Sequence, residues 1–214
     1  VDDGQWRRAE LGGVAATAAV FVALPKPPAA VWPLAVFIPV CIASWVALLV
    51  VRVRADPTLL DRWGLRPRAH LGPLVARLGP LLLVLVLAGA GVALARGRPL
   101  RVEWLGVSLV AYPLWGLVQQ WLVQALFVDN VRALTGARLP WLLVLGAAGF
   151  GAVHLAHPLL AVATAAMGAA YVALFQRWPN LWPLAACHGW LGSLFYPWVL
   201  DLNPTAALLE AAGW

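Results

Sequence analysis

Apolar residues along this chain gather into long runs, several of which approach or exceed the roughly 20 residues needed to cross a hydrocarbon core of about 30 Å. Seven such runs predict membrane-spanning helices: Leu11 to Leu24, Val31 to Val51, Gly72 to Ala95, Trp104 to Val128, Pro140 to His157, Leu159 to Phe175 and Leu181 to Leu200. The breaks carry helix-stopping and polar residues: Pro25-Lys26-Pro27-Pro28, the arginine-rich stretch Arg52 to Arg68, Arg96-Gly97-Arg98-Pro99, and Thr135-Gly136 ahead of Pro140. The fourth run is expected to continue as helix to Leu134, with Asp129, Asn130 and Arg132 marking its emergence into the interface. Trp32, Trp104, Trp141 and Trp182 near run ends fit an interfacial aromatic belt. Along the sixth run Ala161, Ala165, Ala169 and Ala173 recur every four residues beside Gly168, a stripe that allows close helix contact.

Composition agrees with the pattern. With 63% hydrophobic and 11% charged residues in 214, the chain cannot be arranged as a soluble globule, and the expected fold class is all-α, a polytopic transmembrane helical bundle. The +6 charge resides in arginines clustered between the apolar runs, which suits anionic headgroups and topology signalling rather than nucleic acid. With the N-terminus inside, Arg7, Arg8, Arg52, Arg54, Arg62, Arg66, Arg68, Arg77, Arg132, Arg138 and Arg177 fall on the inner side and Lys26, Arg96, Arg98 and Arg101 on the outer. Cys41 and Cys187 lie inside predicted spans without paired spacing, so neither a disulfide framework nor a thiolate metal site is indicated. Asn180 reads as a helix N-cap, Glu103 and Arg101 as a surface pair, and Pro204 to Trp214 as a short interfacial helix.

Polar residues inside the last spans carry the candidate chemistry. Gln119, Gln120 and Gln124 interrupt a run that contains no charge, and an amide in hydrocarbon needs partners. Gln120 and Gln124 share a helix face, with Gln119 bordering it. His154 and His188 on other spans are the candidates to meet them in one intramembrane polar pocket, although a lone intramembrane histidine is more often a packing residue. His157, just before Pro158, reads as an interfacial residue at a helix end, and His70 as a headgroup-level residue.

In order and spacing these residues resemble the CAAX protease and bacteriocin-processing (CPBP) group of intramembrane proteases, over roughly Trp104 to Leu200. That group has a Glu-Glu pair with an arginine four residues after the second glutamate, and Gln119, Gln120 and Gln124 stand at those positions. Its Phe-x-x-x-His motif matches Phe150 to His154 intact, and its His-x-x-x-Asn motif aligns with His188 and Gly192. Trp63-Gly-Leu-Arg66 looks like a short basic segment of bacterial members. The resemblance divides the chain into N-terminal helices with a basic loop (1–103), a CPBP-like core (104–200) and a tail (201–214), and implies a bacterial cytoplasmic membrane protein.

It also implies roles: a glutamate and His154 activating water, His188 and an asparagine stabilising an oxyanion. An amide cannot serve as a general base, and Gly192 offers no side-chain donor; Ser193 points about 100° away on a helix. Three readings follow. In the first, His154 is the base, Gln119 and Gln120 hold water or substrate, and His188 donates to the oxyanion of a membrane-anchored protein substrate. An outward-facing histidine pair would suit the C-terminal anchor of an exported protein. In the second, a non-catalytic member binds a membrane-protein partner or lipid as an assembly subunit. In the third, His154, His157 and His188 bind a metal. The first two readings need neither cofactor nor metal.

Overall fold

The computed structural model describes residues 2–24, 32–100 and 105–202, and every regular element among them is helical. In chain order these are α1 (Asp3–Ala23), α2 (Trp32–Ala55), the short α3 (Leu59–Arg62), α4 (Leu71–Ala95), α5 (Leu105–Gln120), α6 (Asp129–Thr135), α7 (Leu139–Ala152), α8 (Pro158–Arg177) and α9 (Leu181–Phe195). Wider π-helical turns join α5 to α6 (Trp121–Val128) and extend α9 (Tyr196–Leu200). All seven predicted runs coincide with helices, and the fourth continues unbroken through the π segment to Thr135, as expected. Among the described residues three segments are long and apolar enough to span a membrane alone, Val36–Ala55, Leu71–Ala95 and Pro158–Arg177, whereas Leu139–Ala152 is apolar but shorter. The Pro25–Pro28 break, the side chains of Trp32 and Trp104, the Arg101–Glu103 pair and the Pro204–Trp214 tail lie outside what is described.

Small residues decide how closely the helices approach. At the antiparallel α5–α9 crossing, a Cβ on Gly116 would sit 2.8 Å from the Ala185 carbonyl oxygen, and one on Gly189 would overlap the Tyr112–Pro113 backbone. Pro113 has no N–H, which frees the Leu109 carbonyl one turn earlier, and the Trp190 indole of α9 donates to that oxygen at 3.0 Å. The α7–α8 contact works similarly, with a Cβ on Gly168 falling 2.5 Å from the Gly146 oxygen and one on Gly151 3.2 Å from Ala165 Cβ. The predicted small-residue stripe is therefore used at Ala161, Ala165 and Gly168, while Ala173 is exposed.

Contacts at the helix ends fix direction. Leu181 donates its N–H to the Gly64 oxygen at 2.8 Å, and Asn180, besides capping α9 through the Trp182 N–H, donates to the Pro67 and Ala69 carbonyls ahead of α4. At the opposite end Arg96 and Arg98 donate to the Val199 oxygen at 3.0 and 3.1 Å, so α4 and α9 run parallel. Arg132 of α6 reaches Gln176 near the end of α8. One end of the bundle thus gathers Arg7, Arg52, Arg62, Arg132 and Arg177, and the other Arg96 and Arg98. On the arginine-rich side Asp56 accepts from the Thr58 hydroxyl and N–H, which holds its carboxyl below the usual range.

The centre of the core is aromatic. Trp121 opens the π segment and meets Trp45 of α2 and Trp63 beyond α3 edge-on, with ring centroids 5.9 and 5.4 Å apart, among Leu74, Leu122 and Phe175.

Beside it lies a buried charged network that the sequence pattern did not reveal. Glu10 on α1 is 1% exposed; its carboxylate accepts from Arg52 Nε at 2.9 Å and from Asn130 Nδ2 at 2.7 Å. Asn130 also donates to the Leu126 carbonyl inside the π segment and accepts from Arg7 at 2.9 Å, while Asp3 and Asp129 supply further carboxylates to the arginines. The network pins α1 and α2 to the helix carrying the glutamines. Removing one partner strands the others in a low-dielectric site. We expect Glu10→Ala to lower stability in detergent by about 3 kcal/mol, and Glu10→Met with Arg52→Leu to recover most of it, as read by thermal unfolding.

Candidate functional site

Helix α5 carries Gln120 to the α5–α9 crossing, where α9 presents His188. Gln120 is fully buried, and its Nε2 lies 3.1 Å from His188 Nδ1. Gln124, also fully buried, donates from Nε2 to Gln120 Oε1 at 3.2 Å. The amides form a chain running Gln124 to Gln120 to His188. An amide NH2 can only donate, so His188 Nδ1 accepts and its proton resides on Nε2. The far end of the chain is open, because Gln124 Oε1 is buried without a hydrogen-bond partner.

Phe150 couples the second motif to the third. Its ring meets the His188 imidazole edge-on at 5.5 Å, and its carbonyl receives the His154 side chain. Helix α7 stops at Ala152, and the His154 N–H turns to the Gly151 oxygen at 3.0 Å, leaving the Phe150 carbonyl without its usual backbone donor. His154 Nδ1 fills that position at 2.7 Å, and the Thr164 hydroxyl lies 3.2 Å from the same oxygen. Because a carbonyl only accepts, His154 carries its proton on Nδ1 and leaves the Nε2 lone pair free. The two histidines therefore have opposite tautomers: His154 offers an acceptor and His188 a donor.

Not every expected residue joins. Gln119 is half-buried and has no side-chain hydrogen bond to the described residues. His157 is exposed in an extended conformation ahead of Pro158, and His70 is exposed where α4 begins. Among the described residues no three His, Cys, Asp or Glu side chains group as a metal site would require, so His154, His157 and His188 are not assembled around a common point. Ser193 does not stand in for the missing asparagine, since its hydroxyl donates to the Trp190 carbonyl at 2.9 Å. Above Gly192 lies the Tyr112 ring, 3.7 Å from where a Cβ would be. His188 is seven residues past Leu181, about 10 Å along α9, which places the site inside the bundle toward its arginine-rich end rather than at the opposite face.

Pattern reading missed Thr164, which shares the Phe150 carbonyl, and the Pro113–Trp190 pairing that seats α9 on α5. A proline inside a run and an indole on a distant one are a signal only once the helices are known to be neighbours.

Residues 100–194 match the family model described as type II CAAX prenyl endopeptidase Rce1-like. The match includes Gln119, Gln120, Gln124, Phe150, His154, His188 and Gly192, so the chain is CAAX-protease-like over that stretch. No curated protein and no solved structure matches the chain.

Tautomer and stability measurements check the geometry. Nitrogen NMR on selectively labelled protein is expected to show His154 protonated at Nδ1 and His188 at Nε2. Gln120→Leu leaves His188 Nδ1 and both polar atoms of Gln124 without partners and should cost about 1–3 kcal/mol. Gln124→Met trades one orphaned oxygen for another and should cost less than half as much. Equal costs, or identical tautomers, contradict the chain described.

Proposed function

We propose that this integral membrane protein is an atypical peptidase acting on a membrane-anchored protein near its C-terminal membrane segment. The reading is carried by one observation: both histidines make their hydrogen bonds through Nδ1, His154 to the Phe150 carbonyl and His188 to the Gln120 amide, an arrangement that turns Nε2 of His154 into an acceptor and Nε2 of His188 into a donor. In the reaction, water attacks the scissile carbonyl as His154 Nε2 takes its proton. The His188 N–H stabilises the oxyanion, and the proton on His154 then passes to the leaving nitrogen as the C–N bond breaks. Gln120 positions His188, and Gln119, unengaged at the edge of the chain, is the amide available to a substrate backbone. The family model's printed description, an endopeptidase, supports this class of substrate. The gathering of arginines at the bundle end nearer the site supports an orientation with that end, and the N-terminus, facing the cytoplasm of a bacterial cell.

A second reading is favoured by a different observation. Glutamines occupy the positions where the resemblance expects two acids and an arginine, and the one fully buried carboxylate among the described residues, Glu10, is committed to Arg52 and Asn130. On this reading the chain holds its partner without cutting it.

Affinity capture from the native membrane, followed by mass spectrometry, separates the two. With a peptidase, cells expressing the wild type contain a shortened form of a captured protein, and His154→Ala with His188→Ala retains it at full length. Cleavage should also fall on acidification, because a protonated His154 cannot accept the proton from water. If wild type and double variant retain the same intact protein in fixed proportion, the peptidase reading is wrong and the assembly role stands.

A further inference from the structure

Acidic partners at the arginine-rich end are unevenly shared. Asp3, Glu10 and Asp129 are taken up by Arg7 and Arg52, and Asp61 pairs with Arg66 at 2.5 Å. A short distance away, where α8 ends and α4 begins, two arginines converge on one indole instead. The Arg77 guanidinium lies 4.0 Å from the centroid of the Trp178 ring and that of Arg177 5.1 Å from the same ring. Both are exposed, and neither forms an ion pair with a described acid.

Like charges do not gather without a reason. Two guanidiniums held within about 9 Å of each other repel, and the indole offsets only part of that cost. The local geometry fixes both. Arg77 sits six residues into α4, about 9 Å past Leu71, and bends back toward the helix start to donate to the Pro73 carbonyl at 2.9 Å. That bond uses one N–H and leaves the rest of the fork free. Arg177 closes α8, and Trp178 follows directly. The turn that presents them is braced by Asn180 on the Pro67 and Ala69 carbonyls and by the Trp182 indole on the Leu65 carbonyl at 2.8 Å. The pair is therefore held on a braced corner where one long apolar helix ends and another begins.

We propose that Arg77, Arg177 and Trp178 form a binding site for the phosphate of an anionic phospholipid, whose acyl chains lie along the exposed apolar face of α4 that continues inward from Arg77 through Leu81, Val84 and Leu85. Forked guanidinium donors suit phosphate oxygens, and the indole holds both forks in place before the lipid arrives. This is distinct from the positive surface as a whole: Arg8 and Arg54 are also exposed, but no aromatic ring among the described residues organises them into a pair.

The test is native mass spectrometry of the full chain released from mixed phosphatidylcholine–phosphatidylglycerol nanodiscs, comparing wild type, Arg77→Gln/Arg177→Gln and Arg8→Gln/Arg54→Gln. Wild type should retain phosphatidylglycerol, the first double variant should retain it about thirtyfold more weakly, and the second should match wild type. Arg77→Lys/Arg177→Lys preserves charge while removing the fork, and should fall between wild type and the glutamine variant. Equal loss in both glutamine variants means a general charge effect and overturns the proposal. So does retention that is unchanged in all variants, or displacement of the lipid by inorganic phosphate alone, which would make the ligand a free phosphate. Unfolding temperatures measured in phosphatidylcholine alone should be the same for all variants, separating lost binding from lost folding.

Discussion

The close crossing of α5 and α9 is the constraint on which the candidate site depends. Gly189 allows the backbone of α9 to reach Tyr112 and Pro113, and Gly116 allows the same approach at Ala185. Only at that separation can Gln120 reach His188 across the interface with an amide's short span. Larger side chains there would part the helices by more than a hydrogen bond tolerates, and the polar chain would lose its histidine. Packing in a lipid environment gains little from apolar burial alone, so close backbone approach and interhelical hydrogen bonds have to supply the contact. The α7–α8 pair, closed by Gly146, Gly151 and Gly168, applies the same rule and brings Phe150 within reach of His188.

A second theme is the disposal of carbonyls that the helices cannot satisfy themselves. Pro113 frees the Leu109 oxygen, which Trp190 takes; the end of α7 frees the Phe150 oxygen, which His154 takes; and the last turn frees the Val199 oxygen, which Arg96 and Arg98 take. Each is a polar group that would otherwise be orphaned in an apolar surround. At Phe150 this accounting has a chemical result, since it fixes which nitrogen of His154 holds the proton. Structure and candidate chemistry meet in one hydrogen bond.

Much of this was legible in the chain. Apolar runs located every long helix among the described residues, because length and hydropathy are local properties; of the polar residues singled out, Gln120, Gln124 and His188 join by hydrogen bonds, while His154 turns to the Phe150 carbonyl. The π segment was not legible, because nothing in Trp121–Val128 distinguishes its composition from an α-helical run, while the Asn130 side chain on the Leu126 carbonyl is a tertiary event. Glu10 was hidden for a related reason. It precedes the apolar part of α1 and reads as the solvated edge of a span, yet Arg52 and Asn130, 42 and 120 residues away in sequence, bury it. Gln119 shows the converse, a residue singled out by its neighbours that the fold leaves aside from the amide chain.

Glutamines at all three positions where the resemblance expects two acids and an arginine have a joint physical consequence that one glutamine alone would not. Two buried carboxylates require a nearby cation, and leaving either sign alone in such a site is costly. Three amides are neutral together, and two of them link directly: Gln124 gives to Gln120, which gives to His188. A pocket lined by amides thus makes no electrostatic demand for a counter-charge and offers no carboxylate base. What remains is directional. The amide chain has a sense, set by which end donates, and it transmits that sense to the imidazole. An unfilled acceptor at Gln124 Oε1 is the cost of closing the chain at His188, and it identifies that end as the place where a water or a polar group from another molecule would find a partner.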